Sequence, residues 1–192
     1  MVQSLAMLDL ELLAPEKARR LKRAEYDELV RLGTFEDERV ELIDGVIVEM
    51  SPGYPEHASP VQQLTQLLLP PLVGRAVVRV QLSFLATGES EPEPDIAIVP
   101  VGDYRETHPD CAHCIIEVAQ SSLRKDRLVK APLYAASRVE EYWIVNTRDQ
   151  CIHVFRDSNG TTYRAESRHD VSDTLSLAAF SDVTVAVADV FA

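Results

Sequence analysis

Apolar positions fall at helical spacing in the first third of the chain and mostly at strand spacing after it. Turn residues mark most of the changes. Pro15 to Leu32 predicts a first helix: Pro15 suits the first turn, Leu21, Tyr26, Leu29 and Leu32 with Ala18 and Ala24 form an apolar stripe, and Gly33 suits a C-cap. Arg39 to Met50 (RVELIDGVIVEM) sets Asp44-Gly45 between two apolar arms and predicts an antiparallel hairpin. Ser51 to Pro55 is loop by composition, and His57 to Leu69 regains helical spacing through Val61, Leu64, Leu67 and Leu68 before Pro70-Pro71. Arg75 to Ala86 is β-branched and partly alternating. Asp95 to Val99 and Cys114 to Val118 are short apolar runs of the kind a sheet buries on both faces, so they are expected as central strands. Asp126 to Ser137 predicts a third helix, with Pro132 costing one backbone bond. Tyr142 to Asn146, Ile152 to Arg156, Thr162 to Glu166 and Val183 to Val187 read as strands, with Asp157 to Gly160 as a turn. This order predicts an α/β sandwich around a mixed β-sheet flanked by helices, not a regular doubly wound fold. Residues 1–14 are expected to be a loose N-terminal segment and residues 15–192 one domain.

A chain of 192 residues that is 46% hydrophobic can bury one sizeable core. It contains no run of eighteen uncharged apolar residues, and the N-terminus carries Asp9 and Glu11 where a signal peptide would carry lysine or arginine. A cytoplasmic protein with no membrane partner is therefore expected. Cys111, Cys114 and Cys151 are too few, and odd in number, for a disulfide framework, so reduced thiols are expected. Zinc binding by Cys111, His113 and Cys114, with His108, Cys151 and His153 as further candidates, is the alternative, but Cys151 and His153 lie within a predicted strand at unsuitable spacing. The seven glycines are scattered and form no phosphate-cradling loop, which argues against a nucleotide-binding enzyme.

The formal net charge of −12 argues against strong nonspecific binding to nucleic acid, which needs clustered cations. Carboxylates that hold a metal ion count here as bare charge, so the balance does not exclude a metal-dependent enzyme. The one dense basic run, Lys17, Arg19, Arg20, Lys22 and Arg23, reads as a solvated helix face.

Asp95 opens an apolar strand directly after Pro94, and Glu117 sits inside Cys114-Ile115-Ile116-Glu117-Val118. A carboxylate in such a run must be paired, protonated or metal-bound, because an uncompensated buried charge costs several kcal/mol. On adjacent strands the two make a hard-oxygen site suited to Mg²⁺ or Mn²⁺. The plainer reading of either one alone is a salt bridge to Arg79 or Arg127. Asp126 and Lys130 are spaced i,i+4, which for the pair in isolation is a surface ion pair. The alternative is that Lys130 points at the metal site, where it can orient the attacking water.

The stretches RAEYDELVRLGTFEDERVELIDGVIVEMSP, PEHASPVQQL, EPEPDIAIVP, IIEVAQSSLRKDRLVKAPLYA and EYWIV, in order and at natural spacing over most of residues 22–146, resemble the Uma-two restriction-endonuclease family of the PD-(D/E)XK nuclease superfamily. The resemblance implies a restriction-endonuclease-like core in which Asp95 fills the PD position and Glu117 the (D/E) position. The signature lysine would fall at 119, where this chain has Ala119. Lys130 is the residue that matches the family's lysine, and Glu41 matches a further acidic position beside the metal. His57 matches a recurrent histidine, read as a local hydrogen-bonding residue outside the core site. The implied activity is Mg²⁺- or Mn²⁺-dependent hydrolysis of phosphodiester bonds in nucleic acid, with DNA the expected partner, and a homodimer is expected because it would present two sites to a duplex. The rival is a catalytically silent nuclease-fold domain that serves as a dimerisation or binding module.

Overall fold

The computed structural model describes residues 16–50 and 54–192. The expected loose segment 1–14, together with Pro15 and the loop residues 51–53, lies outside the described residues. A helix α1 (Arg23–Arg31) leads to a hairpin of β1 (Val40–Ile43) and β2 (Val46–Glu49), and then to a long helix α2 (Pro55–Leu72). Six strands follow: β3 (Val77–Val80), β4 (Ile96–Val99), β5 (Ala112–Ala119), β6 (Val139–Asn146), β7 (Cys151–Ser158) and β8 (Tyr163–His169). They pair in that order in one sheet. Only β5 and β6 run parallel. A parallel pair needs a crossover, supplied by a continuous helical segment made of α3 (Leu123–Lys125), a π-helical turn (Asp126–Lys130) and α4 (Ala131–Ala136). A small ladder of β9 (Thr174–Ser176) with β10 (Thr184–Ala186) and a short α5 (Val187–Val190) close the chain.

The mixed sheet flanked by helices expected from the sequence is what forms, and side-chain alternation divides its two faces. Cys114, Ile116 and Val118 of β5 pack with Ile96 and Ile98 of β4 against Leu64, Leu68 and Leu72 of α2 and against the β9–β10 ladder. Ile115 and Ala119 face the other way, with Ala97, Tyr142 and Ile144, towards Ala131 and Tyr134 of α4. Glu117 lies on this second face by the same alternation.

Several elements depart from the expected boundaries because tertiary contacts outweigh local preference. The first helix begins at Arg23, since Leu21 N–H donates to Gly45 O at 3.0 Å and Arg23 N–H to Gly88 O at 2.9 Å in place of helical bonds. The basic run is accordingly not a helix face, and Arg20 instead reaches Asp44 Oδ2 at 2.6 Å. Helix α2 runs past Pro70-Pro71, because Leu68 and Leu72 are both fully buried and that burial offsets the backbone bonds proline cannot make. Strand β3 stops at Val80 because Gln81 turns the chain at φ +50°. The stretch expected as one strand from Val183 divides into β10 and α5, and β9 carries no signal long enough to read.

The hairpin turn needs both of its central residues left-handed, with Asp44 at φ 54° and Gly45 at φ 73°. A Cβ on Gly45 would also lie 2.4 Å from Arg20 Cβ and 2.9 Å from Leu21 O. Gly45→Ala is therefore expected to destabilise the protein by about 2–3 kcal/mol, read as a lowered urea midpoint with unchanged slope. Glu91, whose backbone pairs with Leu42, is buried near Asp27, and among the described residues Oε2 has no hydrogen-bond partner. Burial and Asp27 push its carboxyl up from 4.5 to about 7. A raised carboxyl contributes stability below its unfolded value that is lost as pH rises through the folded one. Glu91→Gln, uncharged throughout, should match wild type at about pH 4 and exceed it by on the order of 2–3 kcal/mol at about pH 8. Denaturation that shows the same difference at both pH values would refute this.

Candidate active site

Where β4 begins, β5 ends and α2 starts, a cavity of about 160 Å³ opens, lined among others by Glu41, His57, Asp95, Glu117, Gln120, Lys125, Asp126 and Lys130. All four of the residues expected from the sequence to form a site, Glu41, Asp95, Glu117 and Lys130, line it, each 6% exposed or less. They arrive from three separate parts of the fold. Glu41 comes from the hairpin, Asp95 and Glu117 from adjacent central strands, and Lys130 from the crossover.

Asp95 Oδ2 accepts a hydrogen bond from Val118 N–H at 2.8 Å, tying the start of β4 to the end of β5. His57 Nε2 lies 3.0 Å from the same oxygen and Gln81 Nε2 3.4 Å from Oδ1. The bond to Asp95 holds His57 above the ordinary imidazole range, against the opposing effect of burial. Neither Arg79 nor Arg127 meets the two strand acids: Arg79 contacts His108, and Arg127 contacts His153 and Glu166.

Glu117 Oε1 accepts from Lys130 Nζ at 2.9 Å and from Tyr134 O–H at 2.7 Å. No hydrogen bond from a described residue reaches Oε2. Burial pushes this carboxyl up to about 8, while Lys130 pulls the other way. Lys130 Nζ also lies 3.0 Å from Glu41 Oε2, and Glu41 Oε1 is 3.1 Å from Lys125 Nζ. Burial alone would discharge Lys130, but the Glu117 and Glu41 carboxylates outweigh it and hold its ammonium above the usual lysine range. In turn the two lysines overcome the burial of Glu41 and keep it ionised.

Asp126 and Lys130 do not form the surface pair that their spacing suggests. Both are buried, and the π-helical turn, in which Ala131 N–H bonds Asp126 O five residues back, takes them off a common α-helical face. Asp126 instead accepts from Ser122 O–H at 2.5 Å, and burial raises its carboxyl. Ala119 is fully buried on the same face of β5 as Glu117, two residues on. A lysine at 119 would project beside Glu117, and Lys130 brings its amine to that carboxylate from the facing helix.

Among the described residues no group of three or more His, Cys, Asp or Glu is placed to hold a metal ion by itself. Both oxygens of Glu41 are occupied by ammoniums, so as a ligand it would have to release one of them. What remains is Asp95, Glu117 with an unengaged oxygen, and backbone beside Val118. That set fits Mg²⁺ or Mn²⁺, which keep several waters and take one or two carboxylates, better than an all-protein cage such as zinc needs. Tyr134, Lys125 and Asp126 belong to the cavity network without having been singled out as site residues. The readable signal for Tyr134 was its position four residues after Lys130. His57 was placed outside the core site on sequence and stands on Asp95.

The profile of the Uma2 family, described as "Putative restriction endonuclease", matches residues 23–188. A crystal structure described as a "putative nuclease belonging to DUF820" from Anabaena variabilis superposes with a TM-score of 0.68 at 14% identity, covering 89% of this chain and 97% of that one. Comparison with curated proteins returned no match. At that identity the structural likeness establishes the fold alone, a mixed sheet flanked by helices.

Breaking the lysine's pairing isolates the energetics of this site. Lys130→Met leaves Glu117 buried without a cation and Glu41 with Lys125 alone, and is expected to cost about 3–5 kcal/mol in urea denaturation. Adding Glu117→Gln and Glu41→Gln to that variant should recover a large part of the loss. A cost below about 1 kcal/mol for the single variant would show that the pair is not closed to solvent as described.

Proposed function

This chain belongs to the Uma2 family, and on that premise we propose that it is a Mg²⁺- or Mn²⁺-dependent endonuclease acting on DNA, with Asp95 and Glu117 holding the ion. The observation that carries the reading is the convergence of Asp95, Glu117 and Lys130 on one cavity, each supported by its own buried hydrogen-bonding partners. The ion supplies positive charge against the phosphate and acidifies water.

The protein's own groups do the rest. Val118 N–H fixes the Asp95 carboxylate, and Tyr134 O–H fixes that of Glu117. Lys130, kept charged at all ordinary pH, orients the attacking water and faces the negative charge that develops on the phosphoryl oxygens. Glu41 restrains Lys130 and Lys125 so that neither ammonium swings out of the cavity. His57 can hold a proton at the rim, 3.0 Å from Asp95. In the reaction, water oxygen bonds to phosphorus, one P–O ester bond breaks, and the products are a phosphate monoester and a hydroxyl.

The silent-module reading draws on the absence of a three-ligand cluster among the described residues. The two readings separate on metal binding. Calorimetric titration of Mn²⁺ should show binding to wild type that Asp95→Ala abolishes, with cleavage of plasmid and single-stranded DNA reduced at least a hundredfold in the variant. No Mn²⁺ binding by wild type would overturn the nuclease reading and leave a nuclease-shaped binding domain.

A further inference from the structure

We infer that the substrate strand is single, and that it runs from Tyr54 across the cavity and over Gln120 into a neighbouring groove where Arg148 takes the next phosphate. The inference rests on the nuclease reading for what happens at the cavity, but its evidence lies outside the carboxylate cluster. Beside the site is a second depression of about 440 Å³, sharing Gln120 with the first and lined by Thr147, Arg148, Gln150 and Phe191, with Glu56 and Ser59 on the α2 side. That is room for one nucleotide.

The groove is held against the site by backbone. Thr147 N–H donates to Ala119 O at 3.0 Å and Thr147 O–H to the same oxygen at 3.3 Å. The β6–β7 turn is thereby pinned to the end of β5, within two residues of Glu117. Asn146, buried at the end of β6, accepts from Arg148 N–H at 3.1 Å and Asp149 N–H at 3.2 Å, which fixes the turn and presents the Arg148 side chain outward. Most lysines and arginines of this acidic chain are neutralised by a carboxylate. Among the described residues Arg148 has no such partner, and it is exposed. A free cation one step along a groove from a phosphodiester site is placed for the adjoining phosphate.

The choice of a single strand follows from charge and shape. A duplex presents phosphates of two strands and is held mainly by clustered cations, which a net charge of −12 and paired arginines do not provide. Single strands are held by few cations and by bases stacking on aromatic rings. Tyr54, 58% exposed, lines one end of the site, and half-buried Phe191 lines the groove at the other. A cavity of about 160 Å³ admits a phosphate and an ion but no base pair. One strand needs one site, so cleavage in this geometry does not call for a second copy of the chain.

The test is fluorescence anisotropy with the full chain in Ca²⁺, using labelled oligo-dT of about twelve nucleotides and a duplex of equal length. Wild type should bind the single strand at least tenfold more tightly than the duplex. Tyr54→Ala and Arg148→Ala, both exposed positions, should each weaken single-strand binding about tenfold, while the distant Arg105→Ala leaves it unchanged. Arg148→Ala should also flatten the log–log salt slope by about 0.7, the value for one phosphate contact on a single strand. Equal binding of strand and duplex, no binding of either, or indifference to both substitutions overturns the inference. Cleavage in Mn²⁺ is scored apart from binding: intact single-strand binding with no metal-dependent cleavage refutes the nuclease reading and leaves this track standing.

Discussion

The ammonium of Lys130 lies between the carboxylates of Glu117 and Glu41, at 2.9 and 3.0 Å, with all three residues 5% exposed or less. Three pieces of chain that are distant in sequence are tied at this point: the N-terminal hairpin, the central strand β5 and the crossover helix. None of these charges could be buried alone, since an unpaired ion in the interior costs several kcal/mol. The hairpin is also held by the burial of Leu42 and Ile43 and by Tyr26 O–H, which donates to Val40 O. Its partners in backbone pairing are one bridge from Leu42 to Glu91 and the contacts of its turn with residues 21 and 89. The ion cluster thus adds to this packing in holding the hairpin against the sheet.

Around that knot the sheet supplies rigidity. Strands β4 to β6 are buried on both faces, so the positions of Asp95 and Glu117 are set by apolar packing that has no chemical role. Glu141 makes a useful contrast. It is fully buried on β6, yet its oxygens are taken by Trp143 Nε1, Arg156 and Ala178 N–H, and it does not line the cavity of the site. Burial of an acid therefore does not by itself mark a site. What distinguishes Glu117 is an oxygen that no donor among the described residues reaches, beside an open space.

Asp95 and Glu117 stood out in the sequence because a carboxylate inside an apolar run has few inexpensive explanations. Glu141, in VEEYWIVN, meets the same criterion, but its run begins with charged residues and so gives no comparable signal. The mixed sheet was legible from the order of short apolar runs, and the hairpin from Asp44-Gly45. The start of α1 and the length of α2 were not, since each is decided by contacts with distant residues: Gly45 and Gly88 for the first, the buried leucines for the second; the π-helical turn leaves no mark in the apolar spacing. A helix-start histidine such as His57 usually bonds nearby, and nothing in its neighbourhood announces Asp95 thirty-eight residues on.

The π-helical turn amounts to one residue more than a regular helix would use between α3 and α4. Removing that residue would restore an unbroken α-helix and rotate everything on one side of it by about 100° relative to the other. Lys130 and Tyr134 sit on one side and Lys125 on the other, so the register between the amines that meet Glu41 depends on this extra residue. A relative of this chain can accordingly gain or lose the arrangement through a single-codon insertion or deletion while every acidic position stays the same. Comparison of site residues column by column would not register such a change; the length of the helix would.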